Sequence, residues 1–190
     1  MKPYEGYKPE KTTTRELLPA GGYVAKILDA KVVTYDWGDK LEISFDIADG
    51  EYKDFFKRDY NGQPSEDKKW RGVLRLNVPK DDGTEKDGWS KNTFNRALGA
   101  VEYSNSGYRW DWNESALKGK AVGVLFRNKE WEYNGNTGWT TECCAFADAA
   151  DIREGKFKMP KDKPLKEKTT TTTAAAFAEL SAEDDSTLPF

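Results

Sequence analysis

Apolar and polar residues alternate along several stretches of the chain, a period-two pattern that is typical of β-strands. The clearest alternation follows the turn-forming residues 36–39, where Leu41, Ile43 and Phe45 are each followed by a polar or charged residue. Residues 23–35 carry apolar side chains on both faces of an extended chain, which predicts one long, curved strand. The Asp49-Gly50 pair predicts a hairpin turn, after which a third strand is expected over residues 51–58.

A second alternating pair covers residues 119–133 and 139–146, with a turn over 134–138 between them. Before this pair, Ser90 is a suitable N-cap for a helix that buries the stripe Phe94, Ala97, Leu98 and Val101. Residues 70–78 fit either a helix or an extended segment, and the sequence leaves both interpretations open. The order of three strands, a helix and two strands predicts a mainly β fold. We expect a five-stranded OB-fold-like barrel with one helix between strands 3 and 4.

Composition divides the 190 residues into segments. All 7 Trp and all 9 Tyr precede residue 140, so the folded core is expected to end near Ile152. We predict a flexible N-terminal arm over 1–20, the OB-fold-like domain over 21–153, a disordered Lys/Thr/Ala linker over 154–178 and an acidic tip over 179–190. The lysines of the linker either keep it solvated or add non-specific attraction to phosphates.

Charge and cysteine content exclude several kinds of function. The net charge is −3, but residues 169–190 carry four carboxylates and no Lys or Arg, so the rest of the chain stands at +1. The chain has no His, and its two cysteines, Cys143 and Cys144, are adjacent. This excludes His-based triads and makes a structural zinc site unsuitable, so we expect no enzyme, catalytic residue, metal or cofactor. Without a long apolar run or signal segment, a cytoplasmic location and no membrane partner are expected.

Cations and aromatic rings share one face of the predicted fourth strand. Arg127, Lys129, Trp131 and Tyr133 follow each other at every second position, where cations can meet phosphates and rings can stack on bases. Trp139, across the turn, is expected to add a third ring to the same loop. The alternative is that the rings pack the hairpin as cross-strand pairs, and both interpretations stay open.

Two further segments supply candidate contacts for a nucleic acid. Lys53, Phe55 and Lys57 share one face of the predicted third strand, although the sequence does not say which face turns outward. Trp37 lies at the tip of the first hairpin, where a large ring has little core to join. The candidate single-stranded DNA-binding residues are therefore Trp37, Lys53, Phe55, Lys57, Arg127, Lys129, Trp131, Tyr133 and Trp139.

The C-terminal residues 183–190 join carboxylates to a proline-stiffened apolar end. Acidic side chains steer such a segment toward a basic surface, where apolar side chains can fill a pocket. The tip resembles that of bacterial and phage single-stranded DNA-binding proteins, and residues 148–157 resemble the passage from barrel to linker in phage members of this family. The family's tip pattern maps onto Asp184, Asp185, Leu188, Pro189 and Phe190.

This resemblance implies a protein that coats single-stranded DNA during replication, recombination or repair, without strong sequence preference. The tip is then expected to recruit partner proteins and to compete with DNA for the basic face of the barrel. If the chain is phage-encoded, it would act in the host cytoplasm. A strand-annealing adaptor on the same fold and a carbohydrate-binding module are the alternatives. Oligomeric state, site size and preference for DNA over RNA stay open.

Overall fold

The computed structural model describes residues 5–6 and 15–165 of the chain, which fold around one antiparallel sheet. The sheet has five strands in the spatial order β3-β2-β1-β4-β5. Their bounds are β1 Gly21–Tyr35, β2 Gly38–Ile47, β3 Val73–Asn77, β4 Ala121–Tyr133 and β5 Asn136–Ala147. The fold is thus mainly β, as the alternating pattern predicts.

The period-two pattern of β2 decides which face of the sheet becomes the core. Leu41, Ile43 and Phe45 are buried, and the residues between them turn the other way. Pairing with β1 and β3 extends this buried face, since Leu41 lies opposite the buried Leu76, and Ile43 lies opposite the buried Ala30 and Leu74. The polar residues of β2 and β3 therefore share the outer face.

The two edge strands of the sheet lie close together without being joined. β3 and β5 approach to Cα–Cα distances of 8 Å or less, yet no ladder of hydrogen bonds connects them in the described sheet. The sheet is therefore strongly curved and is not closed into a hydrogen-bonded barrel. A gap between β3 and β5 results, and residues of both strands line a hollow there.

The third strand predicted over residues 51–58 is wrong. Residues 51–54 form a turn, and a short helix, α1 (Phe55–Asn61), follows. The carboxylate of Asp46 accepts hydrogen bonds from the backbone N–H groups of Phe56 and Lys57 at 2.9 and 3.1 Å, which holds the helix start against β2. The true third strand lies in the segment that the sequence left undecided, where Leu74 and Leu76 are buried.

The long helix α2 (Glu85–Ser104) buries the predicted stripe, but it begins earlier than Ser90. Its N-cap is Thr84, whose side chain accepts a hydrogen bond from the backbone N–H of Asp87. Ser90 lies inside the helix and donates to the carbonyl of Lys86. A 3-10 turn, Glu114–Leu117, precedes β4, and a short helix, α3 (Ala149–Arg153), follows β5, so the expectation of one helix is also wrong.

The folded unit extends on both sides of the predicted 21–153. Leu18, within the predicted arm, is buried in the main core. After α3, Phe157 packs on a second cluster with Val24 and Ile152, and a Cβ on Gly22 would lie 2.7 Å from the Phe157 ring. Gly22 thus leaves room for the Phe157 ring to pack against β1. The predicted tip and the later part of the linker lie outside the described residues.

Candidate nucleic-acid interface

A groove of about 640 Å³ follows the gap between β3 and β5, and we call it the basic groove. Its floor is apolar and includes Phe56, Leu74 and Phe126, which are buried in the core. Among the described residues that line it, seven are cationic and Glu142 is the one carboxylate. The cations are Arg15, Lys40, Arg71, Arg75, Arg127, Lys129 and Lys163.

These cations come from every part of the fold that borders the gap. Arg75 projects from β3 because its neighbours Leu74 and Leu76 point into the core. Lys40 lies on the same outer face of β2, where it pairs with Asn77 of β3. Arg127 and Lys129 lie on the opposite wall in β4. The sheet's curvature therefore brings two separately encoded sets of cations to one groove.

Three of the groove cations form ion pairs with carboxylates that are less exposed than the cations themselves. Arg71 and Arg15 reach Asp59 of α1 at 2.9 and 3.3 Å, and Arg75 reaches Glu42 at 2.7 Å. The side chains of Asp59 and Glu42 are 10% and 14% exposed, whereas the three arginines are 36–53% exposed. Positive charge is therefore outermost, and an incoming anion meets cations before carboxylates.

Glu142 is paired with the cations of the opposite wall. Arg127 and Lys129 contact its two carboxylate oxygens at 2.8 and 2.9 Å, and Lys163 lies 3.6 Å away. Partial burial acts to raise the pKa of Glu142, but hydrogen bonds from Lys129 and Arg127 outweigh it and leave the pKa below its ordinary value of 4.5. The carboxyl is therefore ionised at neutral pH.

The rings of the β4–β5 hairpin divide between its two faces. Trp131 and Tyr133 lie on the face of Arg127 and Lys129, while Trp139, opposite Glu130, points the other way. Trp131 lies over Gly138, where a Cβ would approach the ring to 2.8 Å. All three rings are at least 39% exposed. The structure thus brings Trp131 and Tyr133 together with the cations and places Trp139 apart from them.

Trp37 lies in the turn between β1 and β2 with 57% of its surface exposed. Its ring stacks on Tyr35 with centroids 5.0 Å apart, and the Lys40 ammonium lies 4.7 Å from its centroid. Trp37 itself lines a second hollow, together with Lys80 and Asp82, whereas its neighbour Lys40 lines the basic groove. The ring is partly covered by its neighbours.

Of the candidate residues taken from the predicted third strand, Phe55 lies in the floor of the groove and the two lysines lie elsewhere. Phe55 is 3% exposed and packs against Tyr52 and Phe56, so little of its ring is open to a base. Lys53 lies in the turn before α1, and Lys57 is exposed on that helix. Neither lysine lines the groove. These positions follow from the turn and helix that replace the predicted strand, because residues 53, 55 and 57 no longer share one face of an extended chain.

The sequence missed Arg15, Lys40, Arg71, Arg75, Glu142 and Lys163. Arg75 had a local signal, since it alternates with two leucines and must face away from the core. Arg15 and Arg71 had none, because they lie far apart along the chain and meet only when the sheet curves. Lys163 is one of the linker lysines for which attraction to phosphates is an open interpretation, but nothing in the sequence places it beside β4.

Cys143 and Cys144 also line the groove. Burial raises the pKa of both thiols, that of Cys143 well above its ordinary value, so both stay protonated at neutral pH. Neither is therefore suited to act as a nucleophile. Within residues 5–6 and 15–165, no group of three His, Cys, Asp or Glu side chains is placed to hold a metal ion. That part of the chain also contains no helix long and apolar enough to cross a membrane.

No protein-family model matches the chain, and no curated protein is significantly similar to it. Its function is therefore inferred from the site itself.

Proposed function

We propose that the chain is a non-enzymatic protein that binds single-stranded DNA in the basic groove without strong sequence preference. The observation that carries this proposal is the arrangement of the groove, in which seven cations line the gap between β3 and β5 and six of them are more exposed than the carboxylates they pair with. Cations placed in this way suit a phosphodiester backbone, since each neutralised phosphate releases counterions and adds affinity.

The exposed rings beside the groove supply the second part of the proposed site. Trp131 and Tyr133 share the face of the groove cations, and the Trp37 ring lies beside Lys40, another of those cations. A base stacked on such a ring contributes about 1–3 kcal/mol whatever its identity. Duplex DNA hides its base faces, so the combination favours single strands.

The sheet order supports the same proposal. We propose that the domain is an OB-type fold whose barrel is left unclosed at β3 and β5, with α2 between strands 3 and 4. OB folds commonly bind oligonucleotides on the face of strands 2 and 3 and at the loops between strands 1–2 and 4–5. Lys40, Arg75 and the β4–β5 hairpin occupy the corresponding places here.

Recruitment of replication, recombination or repair proteins is proposed for the tip, on its sequence alone. Asp184 and Asp185 provide the charge, and Leu188, Pro189 and Phe190 provide an apolar end that a pocket can hold. The work would then be divided, with DNA contact in the folded domain and partner contact at the C-terminus.

The DNA-binding half is tested by fluorescence anisotropy on labelled oligo(dT), an RNA of the same length and a duplex, at several salt concentrations. We expect tightest binding to single strands and a linear loss of log affinity with log salt. Equal affinity for single strands and duplex would overturn the proposal. An annealing assay with complementary oligonucleotides distinguishes a coating protein from a strand-annealing adaptor.

The recruitment half is tested by deleting residues 188–190. We expect oligo(dT) affinity to be kept or increased, while capture of host replication or repair proteins is lost. If the deletion instead abolishes oligo(dT) binding, the proposed division between domain and tip is wrong.

A further inference from the structure

Three cations of the basic groove converge on one carboxylate. Arg127 and Lys129 of β4 and Lys163 of the C-terminal segment reach the oxygens of Glu142 at 2.8, 2.9 and 3.6 Å. The other carboxylates paired with groove cations, Glu42 and Asp59, have one and two such partners. The centre around Glu142 therefore carries the largest local excess of positive charge, two units over its single acid.

The geometry of this centre suits an anion that arrives from solvent. The Glu142 side chain is 25% exposed, whereas those of Arg127, Lys129 and Lys163 are 30%, 42% and 52% exposed. The cations extend past the carboxylate, so they can turn toward a second anion without being buried. A phosphodiester, like a carboxylate, presents two oxygens that share one negative charge. Arg can bind either group through two parallel hydrogen bonds, and Lys can bind either group as a point charge.

Lys163 is held at this centre by backbone contacts, although it lies within the predicted linker. Its N–H donates to the carbonyl of Asn128 at 2.9 Å, and its carbonyl accepts from the N–H of Glu130 at 2.9 Å. The Asn128 side chain donates to Asp162 at 3.0 Å, and the Leu165 N–H donates to the Glu130 carboxylate at 3.0 Å. The C-terminal segment thus forms a short parallel pairing with β4 beside the groove.

We propose that Glu142 holds the place of a backbone phosphate in the free protein, and that single-stranded DNA takes over its three cations, including Lys163 of the C-terminal segment. This inference rests on the proposed function and assigns a phosphate subsite within it. The carboxylate keeps the cations together when no DNA is present, and it weakens binding because each phosphate must compete with it. The segment over 162–165 is then part of the binding site rather than a plain connection.

The first test compares Glu142→Gln with Glu154→Gln. The Glu154→Gln variant likewise removes one negative charge and breaks one pairing with a lysine, Lys156. Glu154 lies after α3, however, and does not line the groove. Anisotropy with fluorescein-labelled oligo(dT) is measured between about 50 and 200 mM salt. We expect Glu142→Gln to bind about 3–10 times more tightly at the low-salt end, where charges are least screened. Its log–log salt slope should steepen by about 0.7, the value for one more neutralised phosphate on a single strand.

Two outcomes of this comparison overturn the inference. If Glu142→Gln binds no more tightly than Glu154→Gln, the carboxylate does not compete with phosphate. If it binds more weakly than the unmodified protein while its thermal unfolding is unchanged, Glu142 serves only to position the cations.

A second pair of variants covers the case in which Glu142→Gln fails to fold. Lys163→Gln removes the cation of the C-terminal segment, and Lys161→Gln removes an exposed lysine two residues away that does not line the groove. We expect Lys163→Gln to weaken oligo(dT) binding about 3–5 times and to lower the salt slope by about 0.7, with little change for Lys161→Gln. Equal losses of affinity for the two variants would mean that the lysines attract DNA without a defined site, and would overturn the proposed phosphate subsite. If the unmodified protein shows no preference for single strands, the proposed function itself fails.

Discussion

Two hollows among the described residues differ in volume and in charge. The first is the basic groove between β3 and β5. The second, which we call the cleft, has about 360 Å³ and lies between the β1–β2 turn, the end of β3 and the start of α2. Both border Trp37 or its neighbour Lys40. Among the described residues, the cleft is lined by two lysines, Lys80 and Lys86, and three carboxylates, Asp39, Asp82 and Asp87.

Each hollow has a helix in its wall that is positioned by a buried aspartate. Asp46 and Asp87 are the two buried charged side chains among the described residues. Asp46 accepts from three backbone N–H groups, two of them at the start of α1. Asp87 accepts from the N–H groups of Lys80 and Asp81 and also pairs with Lys91 at 3.0 Å.

The difference teaches that a hollow next to an exposed tryptophan is not by itself a nucleic-acid site. In the cleft, the exposed Lys80 and Lys86 are accompanied by the exposed Asp39 and Asp82 and by the buried Asp87, so its lining has no excess of positive charge to attract a phosphate. In the groove, the carboxylates lie beneath the cations and leave positive charge outermost. Charge placement, rather than concavity, therefore assigns DNA to the groove.

The largest expected effect comes from removing the two buried aspartates. Asp46→Ala and Asp87→Ala each leave backbone N–H groups without partners and should lower the free energy of unfolding by about 3 kcal/mol. The comparison is made by urea unfolding, followed by anisotropy at a temperature where both variants are folded. Only Asp46→Ala should also weaken oligo(dT) binding, because Phe55 and Phe56 of α1 line the groove. Equal loss of binding in both would remove the distinction between the hollows.

Reversing one charge in each hollow should give the next largest effect. Lys129→Glu places a second carboxylate beside Glu142 and should cost about 2 kcal/mol of binding, roughly a 30-fold loss. Lys86→Glu makes the same change in the cleft, on an exposed residue, and should alter affinity by less than about threefold. Oligo(dT) anisotropy at low salt measures both. A larger loss from Lys86→Glu would place the strand in the cleft instead.

The aromatic rings should give a smaller difference. Trp131→Ala removes an exposed ring on the face of the groove cations and should cost about 1–2 kcal/mol of binding. Trp37→Ala should cost less, about 1 kcal/mol or below, because Tyr35 and Lys40 already contact the ring. Trp112, 74% exposed and stacked on Phe94 away from the groove, provides the control. An equal loss of oligo(dT) affinity for Trp112→Ala would mean that exposed tryptophans contribute to binding wherever they lie, and would contradict a site at the groove.

The smallest effect concerns pH. The pKa of Glu142 is lowered in the folded protein, so its ion pairs stabilise the fold above the ordinary value of 4.5 and lose that contribution as the pH falls through the lowered pKa. Urea unfolding of the unmodified protein and Glu142→Gln should therefore differ at pH 7, by less than about 1 kcal/mol, and converge in acid. A difference that grows as the pH falls from 7 into acid would contradict this assignment.

Local patterns predicted most of the sheet. The strict alternation from Leu41 to Ile47 and from Val122 onward needs no long-range information, because a shift of the strand by one residue would expose its whole apolar face. The predicted third strand is wrong because Phe55 and Phe56, which are adjacent in the sequence, are both buried. Two neighbouring side chains can both be buried at the start of a helix, whereas a strand with one buried face would expose one of them. The wrong cap at Ser90 has a similar cause, since a serine inside a helix can bond to a carbonyl four residues back.

By itself, the sequence determined the strand-rich fold, the buried stripe of α2, the common face of Arg127, Lys129, Trp131 and Tyr133, and an acidic end with an apolar tip. These features repeat over two to four residues, so neighbours along the chain specify them. Only the tertiary structure decided that Arg75 faces Arg127 across a gap, that Lys163 returns to β4, and that carboxylates lie beneath the cations. Such relations depend on the curvature of the sheet, which arises from the packing of distant residues and leaves no local signal.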